Sequence, residues 1–340
     1  MHISCVLIYW PTADSKTDRN YIKGLHMLRI AKDVKRAIYE KRAVVALETA
    51  LVTHGLPAPL GVETALASEA AVREVGAVPA TIGILRGEII VGLSNAELSE
   101  LAAMGDECIK AGVRDLAVLA ATGGSGSTTV SAMLATAARV GITLASTGGI
   151  GGVHRDWQQS ADRSSDLLAL SRSPVALVSS GFKSILDVPA TFEALETLGV
   201  PVIGYKTQVL PGFYTNGESE SQRIPLEHRV DNSQQAAKIM QAQWSVLGRS
   251  EGLLFANPPP ADKALDQRQV DAAVNSALEQ ARSQEISGKE LTPFLLEKTV
   301  GVLGQEALQS NTALIVNNAA TAAHIAIAFR SIIGGERIGF

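Results

Sequence analysis

The run Ser179-Ser180-Gly181-Phe182-Lys183-Ser184-Ile185-Leu186-Asp187 decides how this chain is read. It follows Val175-Ala176-Leu177-Val178, a short apolar run bounded by Pro174 and Gly181, as a strand buried in a core should be. Asp187 precedes Val188 and Pro189, so its carboxylate can cap a helix that carries proline in its first turn. Lys183 therefore stands at the C-terminal end of a core strand, where open α/β sheets place their ligand sites. Three readings are open for it: a Schiff-base nucleophile, a phosphate contact, or a solvated lysine at a strand end.

Composition bounds the rest. The chain has 340 residues, 46% hydrophobic and 19% charged, which is ample for one large α/β core. A net charge of −4 and a sequence pI near 5.9 argue against a nucleic-acid surface, and no basic run contradicts this. Aromatics, at 4%, are too sparse for a base-stacking platform. Two cysteines, Cys5 and Cys108, make no disulfide framework and fit a reducing compartment such as the cytoplasm. No apolar run approaches the roughly 20 residues of a membrane span, so no membrane partner is expected. The opening reads apart from the rest. Ile3 to Trp10 is apolar but short and has no basic region before it, unlike a secretory signal, and Asp14 to Asn20 is patternless. The expectation is an extension over residues 1–28 and one domain over residues 29–335.

Working outward from Lys183, strand and helix signals alternate. Val44 to Leu47 reads as a core strand that delivers Glu48 at its end, followed by the polar cluster Thr53-His54-Gly55. Val62 to Val75 reads as an amphipathic helix ending at Gly76. Thr81 to Leu85 and Glu88 to Val91 flank Arg86-Gly87 as a hairpin, and Ser94 with Glu97 forms a capping box. Asp106 to Leu119 mixes strand-like pieces with Lys110 and Arg114. Ala120 to Val130 reads as a strand, a glycine-rich loop and a helix start. That loop lacks the Gly-Lys-Ser/Thr of a P-loop and stands either for an anion site or for a plain turn. Ser146 to Arg155 is a second glycine-rich loop, whose spacing misses the dinucleotide fingerprint. The polar segment after it holds Asp162 and Asp166, four apart, and stands either for a solvated acidic loop or for a pair converging on one cation or sugar. Further strands are expected at Val202 to Tyr205, Leu253 to Ala256 and Ala313 to Val316, with helices at Pro189 to Leu198, Asp231 to Leu247, Gln267 to Ser283, from Thr292, and from Asn317 to Phe329. The pattern predicts a single three-layer α/β/α domain around a mixed, largely parallel central sheet.

These segments together resemble the pseudouridine-5′-phosphate glycosidase family, also called the indigoidine synthase A-like family. The resemblance is carried by Ala46-Leu47-Glu48-Thr49 with Thr53 to Pro57, Gly76 to Ile82, Val91 to Ser94, Thr128-Thr129-Val130, Thr147 to Arg155, Lys183 to Asp187 and Gly199 to Tyr205. It continues through Ala256-Asn257-Pro258, Gly288 to Leu296, Ser310-Asn311 and Asn317-Asn318-Ala319, in order from about residue 30 to 330. It implies a metal-dependent, homotrimeric enzyme that reversibly cleaves the C–C glycosidic bond of pseudouridine 5′-phosphate into uracil and ribose 5-phosphate. By position it implies Lys183 as the Schiff-base nucleophile and Glu48 as the proton donor. Substrate contacts fall on Lys110, Thr129, Val130, Ser164, Ser165 and Asp166, with His154 and Asn311 lining the same pocket. A divalent metal, typically manganese, falls on Asp162. Three positions depart from the family pattern: Asp156 replaces a glycine, Arg163 an isoleucine and Ser165 an alanine, all around the metal loop.

Overall fold

The structure is a computed structural model, and it describes residues 27–218, 223–286 and 291–335. The expected extension lies outside the described residues except at its last two positions, and so do Gly288 to Glu290 of the resemblance. Among the described residues, eleven strands form one sheet: β1 (Leu28–Ile30), β2 (Val44–Leu47), β3 (Val78–Leu85), β4 (Glu88–Val91), β5 (Ile109–Ala111), β6 (Gly126–Thr128), β7 (Leu144–Ser146), β8 (Ala176–Ser179), β9 (Val202–Tyr205), β10 (His228–Val230) and β11 (Leu253–Ala256). The order is β1-β4-β3-β2-β7-β8-β11-β9-β10, with β6 joining β3 to β5. Pairings are parallel except β3 with β4 and β3 with β6.

The central strands β2, β7, β8 and β11 are buried throughout because both faces are covered. Val44 and Ala46 of β2 point into one hydrophobic cluster, with Met133 and Leu134 of the helix Val130–Val140. Val45 and Leu47 point into the other, with Met240 of Ser233–Gln241 and Ala319 to Phe329 of Gln305–Gly335. The period-two alternation of a strand therefore yields the three layers. Arg86 and Gly87 both have positive φ, 48° and 80°, as a tight two-residue hairpin turn requires. The Ser94–Glu97 capping box forms with both of its bonds, and Asp187 Oδ1 accepts from the Ala190 amide at 3.0 Å.

Register sets up everything downstream. Leu47 pairs with Ser146, Ser146 with Val178, and Ser179 with Ala256. Glu48, Thr147, Ser180 and Asn257 consequently step off one edge of the sheet side by side.

Three expectations are corrected. Ala313 to Val316 is not a strand: it lies inside one helix, Gln305–Gly335. A four-residue apolar run between asparagines has the same local signal in either state, and packing against the sheet decides. Ala120 to Thr122 closes the helix Leu116–Thr122, and the strand is Gly126–Thr128, within the glycine-rich loop. Its amides thus pair with neighbouring strands, so the loop is no anion cradle. By length and composition, Gln305–Gly334 would also suffice to cross a membrane, although no such run was expected. Here 61% of its most apolar window is buried, which is how a core helix of this fold behaves.

Gly181 has φ +87°, and a Cβ there would sit 2.2 Å from the Pro211 carbonyl oxygen. Gly181→Ala is expected to cost at least about 3 kcal/mol, because strain and a backbone clash coincide. Urea unfolding measures it; a loss under about 0.5 kcal/mol would show that the loop yields freely.

Candidate active site

A cavity of about 570 Å³ opens at the edge where the parallel strands end. Glu48, Lys110, Lys183 and Asn311, all expected site residues, line it together with Thr147 and His54. Glu48 follows β2 directly. Lys110 sits in the middle of β5, opposite Ser127. Lys183 lies in a loop zipped to the second glycine-rich loop: the Ile150 amide donates to the Gly181 carbonyl at 3.1 Å, and the Lys183 amide to the Ile150 carbonyl at 3.1 Å. Its backbone is thereby held by hydrogen bonds rather than left on a free surface turn. Leu296, Val300 and Ile315 supply the apolar part of the wall.

The charges act on one another. Burial pushes the Glu48 carboxyl above its ordinary value, while Lys183, a hydrogen bond from the Thr147 hydroxyl, and Lys110 oppose the shift. Burial also pushes Lys110 down to about 8, helped by the Lys183 charge and opposed by Glu48 and Asp166. At neutral pH this gives an acid biased toward holding its proton beside an amine biased toward losing one. Such opposed shifts in one cleft are the electrostatic mark of an active site.

The other expected contacts do not line the cavity. Thr129 hydrogen-bonds Ser131 (3.0 Å), and Ser165 donates to Ser131 (2.9 Å). Val130 is buried at the start of its helix, and Ser164 caps the helix Ser165–Arg172 by accepting from the Asp166 amide. Asp166 is buried, its two oxygens taking the Ser131 and Gly151 amides at 2.9 Å each. It clamps the glycine-rich loop to the helix Val130–Val140, and it reaches Glu48 and Lys110 through its charge. Thr128 is likewise committed, donating to the Ile82 carbonyl at 2.6 Å.

His154 and Asp162 come together across a short antiparallel contact, the His154 amide donating to the Asp162 carbonyl at 3.1 Å. Their side chains approach to 3.9 Å. Burial biases His154 toward the neutral form, against the pull of Asp162. Asp162 and Asp166 do not converge, because Asp166 is spent on backbone amides. Among the described residues no three His, Cys, Asp or Glu side chains group as a metal cage. In this loop the described residues offer a cation the partly exposed Asp162 carboxylate beside a neutral-leaning imidazole. That suits a hard divalent ion that keeps most of its waters.

Sequence reading gave Thr147 and His54 no role. Thr147 had a usable signal, since it follows β7 as Glu48 follows β2. His54 lies in a single π-helical turn, Leu51–Gly55, which pattern reading does not foresee. Its Nδ1 lies 2.5 Å from the Thr53 hydroxyl, which donates to Ser127 at 2.6 Å. Asn311 Oδ1 is buried with no hydrogen-bond partner among the described residues, so this wall of the cavity holds an acceptor suited to a ligand N–H.

Residues 33–328 match the family model described as indigoidine synthase A like protein. A pseudouridine-5′-phosphate glycosidase of Hahella chejuensis is 43% identical over 302 residues, 89% of this chain and 98% of that protein. One from Caldanaerobacter subterraneus is 45% identical over 298 residues, 88% and 95% of the two chains. Among solved structures, the prealnumycin C-glycosynthase in complex with ribulose 5-phosphate superposes with a TM-score of 0.83 at 36% identity, over 91% of this chain and 99% of that one. An indigoidine synthase A-like protein of Thermotoga maritima gives 0.79 at 35%, over 90% and 98%.

The depressed Lys110 carries a stability consequence. Unfolded, it titrates near 10.4, so between about 8 and 10.4 the unfolded chain binds more protons and stability rises with pH; below about 8 the full penalty applies. Lys110→Met is expected to raise stability by about 1–3 kcal/mol at pH 7 and by little at pH 10.5. Melting at the two pH values checks this, and an unchanged or lowered melting point at pH 7 contradicts it.

Proposed function

We propose, because this chain belongs to the indigoidine synthase A-like protein family, that it is a glycosidase reversibly cleaving the C–C bond of pseudouridine 5′-phosphate to uracil and ribose 5-phosphate. The observation that carries the reading is the meeting of Glu48, Lys110 and Lys183 in one cavity at the strand ends. The names of the relatives supply the substrate.

The bond to be broken joins two carbons, so direct expulsion of the base is unfavourable, and a covalent route divides the barrier. The Lys183 amine bonds to the anomeric carbon as the C1′–O4′ bond breaks, with O4′ taking a proton from Glu48. The Glu48 carboxylate then recovers a proton from the Lys183 ammonium and passes it to uracil C5 as the C1′–C5 bond breaks; the bond's electron pair goes to C5, and Lys183 Nζ is left as a protonated imine to C1′. Water hydrolyses the imine to ribose 5-phosphate and restores the amine. The raised Glu48 suits the donor role, since burial that favours the protonated carboxyl favours a general acid. Lys110, protonated below about 8, offers a cation to the substrate's anionic end. Asn311 Oδ1 offers an acceptor to a uracil N–H. A divalent ion, manganese in this reading, would be held by Asp162 and water and would supply positive charge beside the substrate. The active form in this reading is a cytoplasmic homotrimer.

A second reading is favoured by the neighbour whose complex holds ribulose 5-phosphate. It keeps the Lys183 imine and the sugar phosphate but not uracil as the other product. Side-by-side assays separate the two. Pseudouridine 5′-phosphate should release uracil, and unphosphorylated pseudouridine or uridine 5′-phosphate should react orders of magnitude more slowly, because a site built for a polar group rejects analogues lacking it. Equal turnover of the N-linked nucleotide would sink the first reading.

The covalent step is tested separately. Ribose 5-phosphate with a hydride reductant should add the reduced sugar's mass to the peptide carrying Lys183, and Lys183→Ala should abolish it. Persistent labelling of the variant would move the nucleophile elsewhere.

A further inference from the structure

The helix Gln305–Gly335 carries an asparagine that none of this chemistry uses. Asn318 is fully buried, midway along an apolar helix. An amide there must find its hydrogen-bond partners inside the protein. Its Nδ2 donates to the Thr147 carbonyl at 2.9 Å, to the Ser180 hydroxyl at 3.1 Å and, more weakly, to the Gly148 carbonyl at 3.4 Å. Its Oδ1 accepts from Asn257 Nδ2 at 2.9 Å. One carboxamide thus ties together the residues that leave β7, β8 and β11. The fourth residue on that edge is Glu48, which receives the Thr147 hydroxyl. Ser180 in turn opens the loop that reaches Lys183, and its amide donates to the Gly148 carbonyl at 2.8 Å. Asn311, Ile315 and Asn318 fall at i, i+4 and i+7, one face of the helix, so the face that lines the cavity also braces its floor.

We propose that Asn318 is a positioning residue, locking the Glu48 and Lys183 loops into one register from behind the active site. This rests on the glycosidase reading for its catalytic readout but not for its structural one. The amide suits the place because two carbonyls need donors on one side and Asn257 needs an acceptor on the other. Aspartate, with the same shape, would set an acceptor against the Thr147 and Gly148 carbonyls.

The test uses Asn318→Ala and Asn318→Asp in the full chain. Ser180→Ala, which removes only the hydroxyl's two contacts with Asn318 (3.1 and 3.4 Å), serves as a milder second variant. With manganese present, kcat for uracil release should fall about 100-fold in the Asn318 variants, since a misplacement near 1 Å costs that much. KM for pseudouridine 5′-phosphate should change less than about threefold, because ground-state binding is spared. In ligand-free protein, carbon-13 NMR of Glu48 should show it titrating at higher pH than in the wild type. The Thr147 hydrogen bond that favours the carboxylate is loosened in these variants, and a fold-stabilising asparagine without contact to the loops would not move this titration. Ser180→Ala should shift kcat and the Glu48 titration in the same direction by less. Folded variants with wild-type kcat and an unmoved Glu48 titration overturn the proposal. So does a silent Ser180→Ala if the Asn318 variants fail to fold. Should the wild type release no uracil, the glycosidase reading fails while the Glu48 titration still decides the role of Asn318.

Discussion

Parallel pairing in strict register is the constraint on which the rest of this molecule depends. Each ladder position is fixed by backbone hydrogen bonds and by period-two burial on both faces, so a slip of one residue would turn whole strands inside out. Because β2 and β7 end level, and β8 and β11 end level one residue further on, Glu48, Thr147, Ser180 and Asn257 emerge close together although some 210 residues separate the first from the last. The active-site floor is a by-product of sheet geometry, and the loops above it only refine it.

The refinement costs stability. Glu48 and Lys110 are both held in surroundings that disfavour their charged forms, and two lysines share one cavity. A fold optimised for stability alone would place apolar residues there. The large flanking clusters offset the penalty, with helices on both faces presenting small and branched side chains to the sheet. Backbone amides are recruited as well: Asp166 spends its charge on two of them, securing a glycine-rich loop that has few side chains of its own to pack.

The C-terminal helix joins these two themes. It covers one face of the sheet as a core helix, and with Asn311, Ile315 and Asn318 it turns one stripe toward the site. Its polar residues are therefore not breaks in an apolar pattern. They mark where the core helix passes under the chemistry.

Much of this was legible in the chain itself. Val44 to Leu47, Val175 to Val178 and Leu253 to Ala256 are apolar runs with no other plausible use, and the strands found there follow from burial on both faces. Arg86-Gly87, Ser94 with Glu97, and Asp187 before Val188-Pro189 are local devices whose physics is complete within a few residues, and each formed as read. Glu48 and Lys183 were recognisable because each follows a core strand at once or within a short loop. The tertiary structure alone decided where packing overrules local signal. Ala313 to Val316 carries the same apolar run whether strand or helix, and it falls within a long helix that packs over β7 and β8, with Leu314 and Ile315 close to Gly148. Asp166 looked like a partner for Asp162 by spacing, yet it turned to the Ser131 and Gly151 amides, because a buried carboxylate takes the nearest donors and those come from segments distant in sequence. The network around Asn318 is decided the same way: hydrogen bonds spanning 138 and 171 positions leave no periodic trace in a sequence.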